Sequence, residues 1–248
     1  MIRTTDLDHI RTITLARPEV MNAFNLGLYV ALTEALRAAA ADEEVHVVVL
    51  TGEGRAFSSG QDLEEMAQLA EGTAPPGAEQ GFQGLLEVVQ EYPKPLIAAV
   101  NGAGVGLGFT ILGHCDLVVA SEAARFKVPF APLGVPPEAA SSYLFPARVG
   151  WQRAAEILLT GDWVSAQEAK EWGLVRDVVA PDALMDAALD LARRIAVHPP
   201  AATQVIKRLM LDARGDAVAA ARAREEAAFA LMLAGSGARS AVEELRAD

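Results

Sequence analysis

Leu96-Ile97-Ala98-Ala99-Val100-Asn101-Gly102-Ala103-Gly104-Val105-Gly106-Leu107-Gly108 is the stretch that decides the fold class. Five apolar residues run into a glycine-rich turn, and a short apolar helix is expected beyond it, reaching Cys115. A strand that is apolar at every position is buried on both faces, as in a parallel sheet covered by helices. Working outward, the same alternation recurs. On the N-terminal side, residues 45–50 form a β-branched run between Asp42-Glu43-Glu44 and Gly52 and read as a buried strand. Residues 9–16 alternate as a strand that Arg17-Pro18 ends, and Asn25 is an N-cap for a helix over residues 26–40. Residues 61–70 read as helix. On the C-terminal side, residues 117–120 and 175–179 read as strands and residues 151–159 as helix, while Ser165-Ala166-Gln167-Glu168 is a capping box. Strands and helices alternating in this way make the class α/β.

From Pro181 onward the pattern is helical only, with His198-Pro199-Pro200 as punctuation. Residues 216–234 are alanine-rich and read as amphipathic. A tail of this kind packs either on a partner subunit, the reading preferred here, or back on its own core. Residues 71–84 carry Gly72, Pro75, Pro76 and Gly77 and read as a flexible insertion, either a lid or a surface loop, before a helix ending at Tyr92.

The chain has 248 residues and a net charge of −12, without a cluster of Lys or Arg. That balance argues against a nucleic-acid or anionic-membrane surface. No run approaches the roughly 18 apolar residues of a membrane span. One cysteine, Cys115, cannot form an internal disulfide and reads as a small buried hydrophobe. The N-terminus carries no signal core, so a cytoplasmic enzyme is the expectation.

Several chemistries are excluded by motif. His9, His46, His114 and His198 share no metal or catalytic spacing, and the alternating Gly102, Gly104, Gly106 and Gly108 match neither a dinucleotide fingerprint nor a P-loop. Two glycine-bearing turns remain: Phe57-Ser58-Ser59-Gly60-Gln61-Asp62 and Asn101 to Gly108. Each lies between a strand and a helix, where backbone N–H groups are unspent. Two such donors converging on one oxygen make an oxyanion hole; separately, each is simply a tight turn. The third feature is Phe130-Ala131-Pro132-Leu133-Gly134-Val135-Pro136-Pro137-Glu138-Ala139-Ala140-Ser141-Ser142. It places a single carboxylate, Glu138, in a tract with almost no other charge. Desolvation there raises its pKa and suits it to general acid–base work, whereas a helix N-terminus would stabilise its charged form instead. The three features together suggest chemistry at a carbonyl.

These residues resemble the crotonase (enoyl-CoA hydratase/isomerase) superfamily over nearly the whole chain. The resemblance is carried by Arg17-Pro18-Glu19-Val20-Met21-Asn22-Ala23-Phe24, Ser59-Gly60-Gln61-Asp62-Leu63 and Lys94 through Gly102, and further by Cys115 through Ala120, Leu159-Thr160-Gly161-Asp162 and Gly173-Leu174-Val175. It implies a spiral of ββα units over residues 1–195 and a helical oligomerisation region over residues 196–248, assembling as a trimer or dimer of trimers. It implies acyl-CoA substrates, with no metal and no cofactor beyond the coenzyme A of the substrate. The thioester oxygen would be held by the backbone N–H groups of Ser59 and Leu107. Asn22, Ala23, Ser58, Gly60, Gln61, Asp62 and Gly106 would line the coenzyme A surface, with Asp62 a helix cap. Phe109, Thr110, Phe130 and Tyr143 would wall the acyl pocket, together with Leu112 and Phe126. The family's usual lysines are replaced by Glu19, Val20 and Met21, which leaves Arg17, Arg55, Lys94, Lys207 and Arg208 as candidates for the phosphates.

Hydratases of this family carry two glutamates, and here Thr110 and Phe130 stand in their places. The tract around Glu138 is similar to the peroxisomal type of Δ3,Δ2-enoyl-CoA isomerase, in which one glutamate is the base. That resemblance implies a 1,3-proton shift with Glu138 as the single acid/base. The alternatives are another crotonase reaction, such as thioester hydrolysis or decarboxylation, and a non-catalytic acyl-CoA-binding module.

Overall fold

The computed structural model describes residues 1–62, 64–65, 68, 73 and 77–233. The chain opens with β1 (Ile2–Leu7) and β2 (Ile10–Leu15), then α1 (Leu26–Ala41), β3 (Val47–Gly52) and β4 (Ala56–Ser58). Next come α2 (Ala78–Gln90), β5 (Leu96–Val100), β6 (Ala103–Val105), α3 (Leu107–Thr110), β7 (Leu117–Ser121) and β8 (Arg125–Lys127). The remaining elements are α4 (Ser141–Val149), α5 (Trp151–Thr160), β9 (Val164–Ser165), α6 (Ala166–Glu171), β10 (Asp177–Val179), α7 (Leu184–Ala196), α8 (Pro200–Asp212) and α9 (Gly215–Leu233).

Two sheets organise these elements. The larger runs β1-β2-β3-β5-β7-β10 and the smaller β4-β6-β8-β9. Successive units each send one strand to the large sheet and the next to the small one: β3 then β4, β5 then β6, β7 then β8. This is the spiral of strand pairs that the resemblance implied. Between successive units the pairing is parallel, with Leu50 against Ala98 and Ala98 against Val118 in the large sheet.

The apolar runs explain why the large sheet is covered on both sides. Side chains alternate along a strand, so odd and even positions face opposite ways. Val47, Val49, Ile97, Ala99 and Val119 pack with Leu184, Ala188, Leu191 and Ala192 of α7. Val48, Leu50, Ala98, Val100, Val118 and Ala120 face the main core, with Leu28, Leu32 and Leu36 of α1 and Leu85, Leu86 and Val89 of α2. Asn25 caps α1 as expected, its Oδ1 accepting from Leu28 N–H at 3.0 Å, and the Ser165–Glu168 capping box is present.

The structure differs from the sequence reading in four places. β1 was not anticipated, because its hairpin turn uses Asp8 and His9 at φ 51° and 62°, without the glycine that normally announces such a turn. The short strands β4, β6 and β8 have three residues each, too few to show a period; the glycine run was read as turn throughout, yet Ala103–Val105 is strand. Residues 78–84, assigned to the insertion, are the first half of α2, and most of the remaining insertion, like half of the helix expected over 61–70, lies outside the described residues. Only Asp177–Val179 of the strand expected over 175–179 is paired. The described part of the C-terminal helix meets its own chain, with Val218 and Ala221 buried against Ala140 and Leu144. Its exposed side carries Phe229, Leu231 and Met232.

The corner between sheets is where space is tightest. A Cβ on Gly102 would lie 2.0 Å from Arg55 O. Gly102→Ala is therefore expected to destabilise the fold by about 2 kcal/mol or more, as overpacking against rigid backbone does. Gly84 lies inside α2 with nothing within 4 Å of its added Cβ, so Gly84→Ala is expected to stabilise by about 1 kcal/mol through helix propensity. Denaturant unfolding of the two variants checks both signs.

Candidate active site

The site begins with two parallel strands that each end in a glycine turn. β4 pairs with β6, Ser58 opposite Gly104. The turns that follow touch through their backbones: a Cβ on Gly60 would meet Val105 O at 2.6 Å, and one on Gly106 would lie 3.9 Å from Gly60 Cα. Both glycines also have positive φ, +87° and +52°, so neither position accepts an ordinary side chain. Gly108 continues the contact, since its Cβ would strike Ser58 O at 2.3 Å.

Stitches hold the two turns to the preceding chain. Asn22 is fully buried; its Oδ1 accepts from Arg17 N–H at 2.8 Å and its Nδ2 donates to Glu53 O and Ala56 O. Ser58 Oγ donates to Asn22 O at 2.8 Å and accepts from Gly60 N–H at 3.1 Å. Ala23 O accepts from Arg17 Nη1 at 2.6 Å. The polar groups of Asn22 and Ser58, expected at the coenzyme A surface, are thus spent inside the protein. Asp62 accepts from Glu64 N–H at 3.2 Å and pairs with Arg17 at 3.4 Å, as a helix cap does.

Ser59 needs correction as an oxyanion donor. Its N–H donates to Met21 O at 2.9 Å, because the chain at Ser59 runs beside the Met21–Asn22 turn. Two residues on, Phe24 N–H bonds Gly60 O and Asp62 N–H bonds Phe24 O. That pattern turns the intervening Gln61 N–H away from the pairing, and it has no acceptor among the described residues. Leu107 N–H, in the first turn of α3, has none either; such N–H groups have no partner inside the helix. The geometry therefore brings together Gln61 and Leu107 as residues following abutting glycines. The spacing of the sequence motif does not reveal which N–H of the turn is spent.

Glu138 reaches the same place from the other side. Thr110, at the end of the helix that Leu107 opens, donates its Oγ1–H to Glu138 Oε1 at 2.5 Å. The residue as a whole is half-buried, but Oε2 is sealed from solvent and has no hydrogen-bond partner. Burial pushes the Glu138 carboxyl up to about 8; the Thr110 hydrogen bond opposes this and the charge of Glu225 adds to it. Thr110 is thus a direct partner of the carboxyl, more than a wall of the acyl pocket.

Tyr29 and Gln61 complete the surroundings. Tyr29 donates its O–H to Gln61 Oε1, and Gln61 Nε2 donates to buried Glu65 Oε2 at 3.1 Å. Tyr29 is held well above its ordinary pKa by burial first, then by the charges of Glu138 and Glu65. The sequence carried no signal for this trio, because residues 29 and 61 are joined only by the fold.

Other expected residues fall elsewhere. Phe109 is fully buried, its ring 4.8 Å from Phe126 and 4.9 Å from Phe145 between centroids, and is core. Phe130 is buried in the same core, and Tyr143 packs beside Leu144 and Val218 under α9. Of the basic candidates, Lys94 Nζ is held by Ala39 O and Asp42 O, and Lys207 Nζ by Lys94 O and Asp116. Both are buried and unavailable to phosphates. Arg55 and Arg208 are exposed. Two surface grooves, of about 500 and 290 Å³, lie beside Leu26 and Gly81 and beside Gln90 and Arg208; neither is lined by Glu138, Gln61 or Leu107. Among the described residues no helix is long and apolar enough to cross a membrane.

Comparison with known proteins identifies the family. Residues 7–243 match the family described as enoyl-CoA hydratase/isomerase. The 2,3-dehydroadipyl-CoA hydratase of Escherichia coli is 38% identical over 227 residues, covering 90% of this chain and 86% of that protein. Enoyl-CoA delta isomerase 2 of Rattus norvegicus is 38% identical over 212 residues, covering 84% of this chain and 54% of that longer protein. The crystal structure of an enoyl-CoA hydratase/isomerase from Pseudoalteromonas atlantica T6c superposes with a TM-score of 0.92 at 33% identity, covering 99% of this chain and 96% of the other. The chain belongs to the enoyl-CoA hydratase/isomerase family, the crotonase superfamily, and is an acyl-CoA enzyme of that family.

Proposed function

We propose that this protein is a Δ3,Δ2-enoyl-CoA isomerase in which Glu138 is the only acid/base. The observation that carries the reading is the state of that carboxyl: buried, raised to about 8, with one oxygen on Thr110 and the other without a partner. A 1,3-shift asks for one such group. Ionised Glu138 takes a proton from C2 of a 3-enoyl thioester onto Oε2, and the C2–H electron pair enters a dienolate over O, C1 and C2; when the same proton returns, the C3–C4 π pair forms the C4–H bond, the C1–C2 pair becomes the C2–C3 double bond and the thioester carbonyl is restored. The negative charge between these events rests on the thioester oxygen, where N–H donors bind more strongly as charge grows. Leu107 and Gln61, in place of Ser59, supply those donors. Hydration asks for a second group to activate water, and Thr110 and buried Phe130 occupy the positions that would provide one.

Raised basicity strengthens Glu138 as a proton acceptor, at the cost of a smaller ionised fraction at neutral pH. The kcat/KM for a medium-chain 3-enoyl-CoA, followed by the absorbance of the conjugated 2-enoyl product, is expected to rise with pH toward a plateau above about 8. Thr110→Val removes a bond that favours the charged carboxylate, so the rising limb is expected to move to higher pH. Glu138→Gln is expected to abolish isomerisation. Its stability should change in the opposite sense. The folded-state pKa of Glu138 lies above its unfolded value of 4.5, so wild type loses stability as pH rises from about 4.5 to about 8. Glu138→Gln does not, and its Tm advantage should widen over that interval. An active Glu138→Gln variant, or hydration of a 2-enoyl-CoA as the main reaction, would sink the proposal.

The donor at residue 107 can be removed separately. Leu107 is the first residue of α3, where proline is tolerated in a helix. Leu107→Pro deletes the N–H and is expected to lower kcat by about 10²–10³-fold with the fold retained by circular dichroism.

We also propose that the chain assembles as a homotrimer or dimer of trimers through residues 196–248. Val205, Ile206, Leu209 and Met210 on α8 are exposed apolar residues that support this. Light scattering is expected to give three or six chains, and fewer for Leu209→Glu/Met210→Glu.

A further inference from the structure

The segment that presents Glu138 has a backbone that its own residues do not favour. Ala139 and Ala140 both sit at φ +57°. A left-handed alanine is strained, so two in succession persist only where surrounding bonds hold them. Three groups do so. His114 Nε2–H donates to Ala139 O at 2.8 Å, and burial lowers that imidazole to about 4, leaving it neutral. Ser141 donates to Glu138 O from its N–H at 3.0 Å and its Oγ at 2.6 Å. The third group is Glu225, which comes from α9, 85 residues away from Ala140.

Glu225 is buried, and both of its oxygens are committed to this turn. Oε2 accepts from Ala140 N–H at 2.7 Å, and Oε1 accepts from Ser142 N–H at 2.9 Å and Ser142 Oγ at 2.5 Å. It does what a side chain at the N-cap of α4 ordinarily does, since that position is Ala140 and has nothing to offer. The helix that carries it is anchored independently: Arg222 Nη2 donates to Gln83 Oε1 at 2.5 Å and Nη1 to Gln90 Oε1 at 3.1 Å, both on α2. The left-handed turn is thereby tied to a second part of the core.

We infer that Glu225 is a positioning residue for Glu138: by clamping the Ala139–Ala140 turn from the C-terminal helix, it sets where the carboxyl of the base stands over the reacting carbons. This rests on the reading of Glu138 as the base. The groups facing Glu138 are Thr110 from α3, Tyr29 from α1 and Glu225 from α9. Of these, only Glu225 grips the backbone that carries the base.

The test uses the full-length protein, 3-enoyl-CoA turnover, and Glu225→Ala, Glu225→Gln and Ser142→Ala. Small displacements of a catalytic group cost about 10²-fold in rate. Glu225→Ala is therefore expected to lower kcat about 30- to 100-fold, with KM within about threefold and the spectrum of a folded protein. Glu225→Gln keeps one acceptor oxygen and is expected to recover part of that loss. It also removes a charge that opposes ionisation of Glu138, so its pH limb should move to lower pH. A mere cap would leave kcat per folded molecule on the pH plateau unchanged, although loss of its charge would still move the limb; a wild-type plateau kcat in Glu225→Ala would overturn the inference. If Glu225→Ala fails to fold, Ser142→Ala and Glu225→Gln decide. A fall in plateau kcat of about threefold or more in both supports the clamp, and smaller changes reject it. Wild type inert toward 3-enoyl-CoA would overturn the assignment of Glu138 itself, whereas active wild type with indifferent Glu225 variants overturns only the clamp.

Discussion

Everything at this site depends on the approach of two backbones. β4 and β6 run parallel into glycine turns so close that a methyl group on Gly60 or Gly108 would strike main-chain atoms of the opposite segment. That contact places the N–H groups of Gln61 and Leu107 after abutting turns. It also fixes the start of α3, whose other end bears Thr110. The glycine corner at Gly102 and the stitching by Asn22 and Ser58 maintain the same approach from below.

A second constraint acts on charge. Glu138 is held where solvent does not reach Oε2, and its carboxyl is correspondingly hard to ionise. The molecule offsets part of this with one hydroxyl, Thr110, and adds to it with the charge of Glu225. The resulting group is a strong base that is incompletely ionised at neutral pH. Its supporting turn is a strained pair of alanines whose conformation comes from bonds made by His114, Ser141 and Glu225. A site that strains its backbone and buries its charge gives up stability for function, as elsewhere in proteins.

Much of the architecture was legible locally. Residues 96–100 and 45–50 announced buried strands because every position but His46 is apolar, and Asn25 and Ser165 announced helix starts because their side chains cap backbone N–H groups. The short strands were invisible, since three residues display no period and their partners lie 22 to 47 residues away. The first hairpin escaped notice because Asp8-His9 takes a conformation usually left to glycine. At the site, the isolation of Glu138 among small and proline residues pointed correctly to a buried carboxyl. Glu225, a charged neighbour among the described residues, could not be read there, being brought in by a distant helix.

Local sequence settled the class of fold, the positions of both glycine turns, and the placing of Glu138 in a tract with almost no other charge. Each of these is a property of neighbouring residues. Only the tertiary structure decided which N–H groups are unspent, which lysines are buried, and what holds the base. A backbone donor at Ser59 is free or occupied according to whether Met21 O lies 2.9 Å away. Lys94 and Lys207 are cations in the sequence but internal struts in the fold. These outcomes depend on hydrogen bonds between segments far apart in the chain, and such bonds are settled when the sheets, the turns and the C-terminal helix pack together.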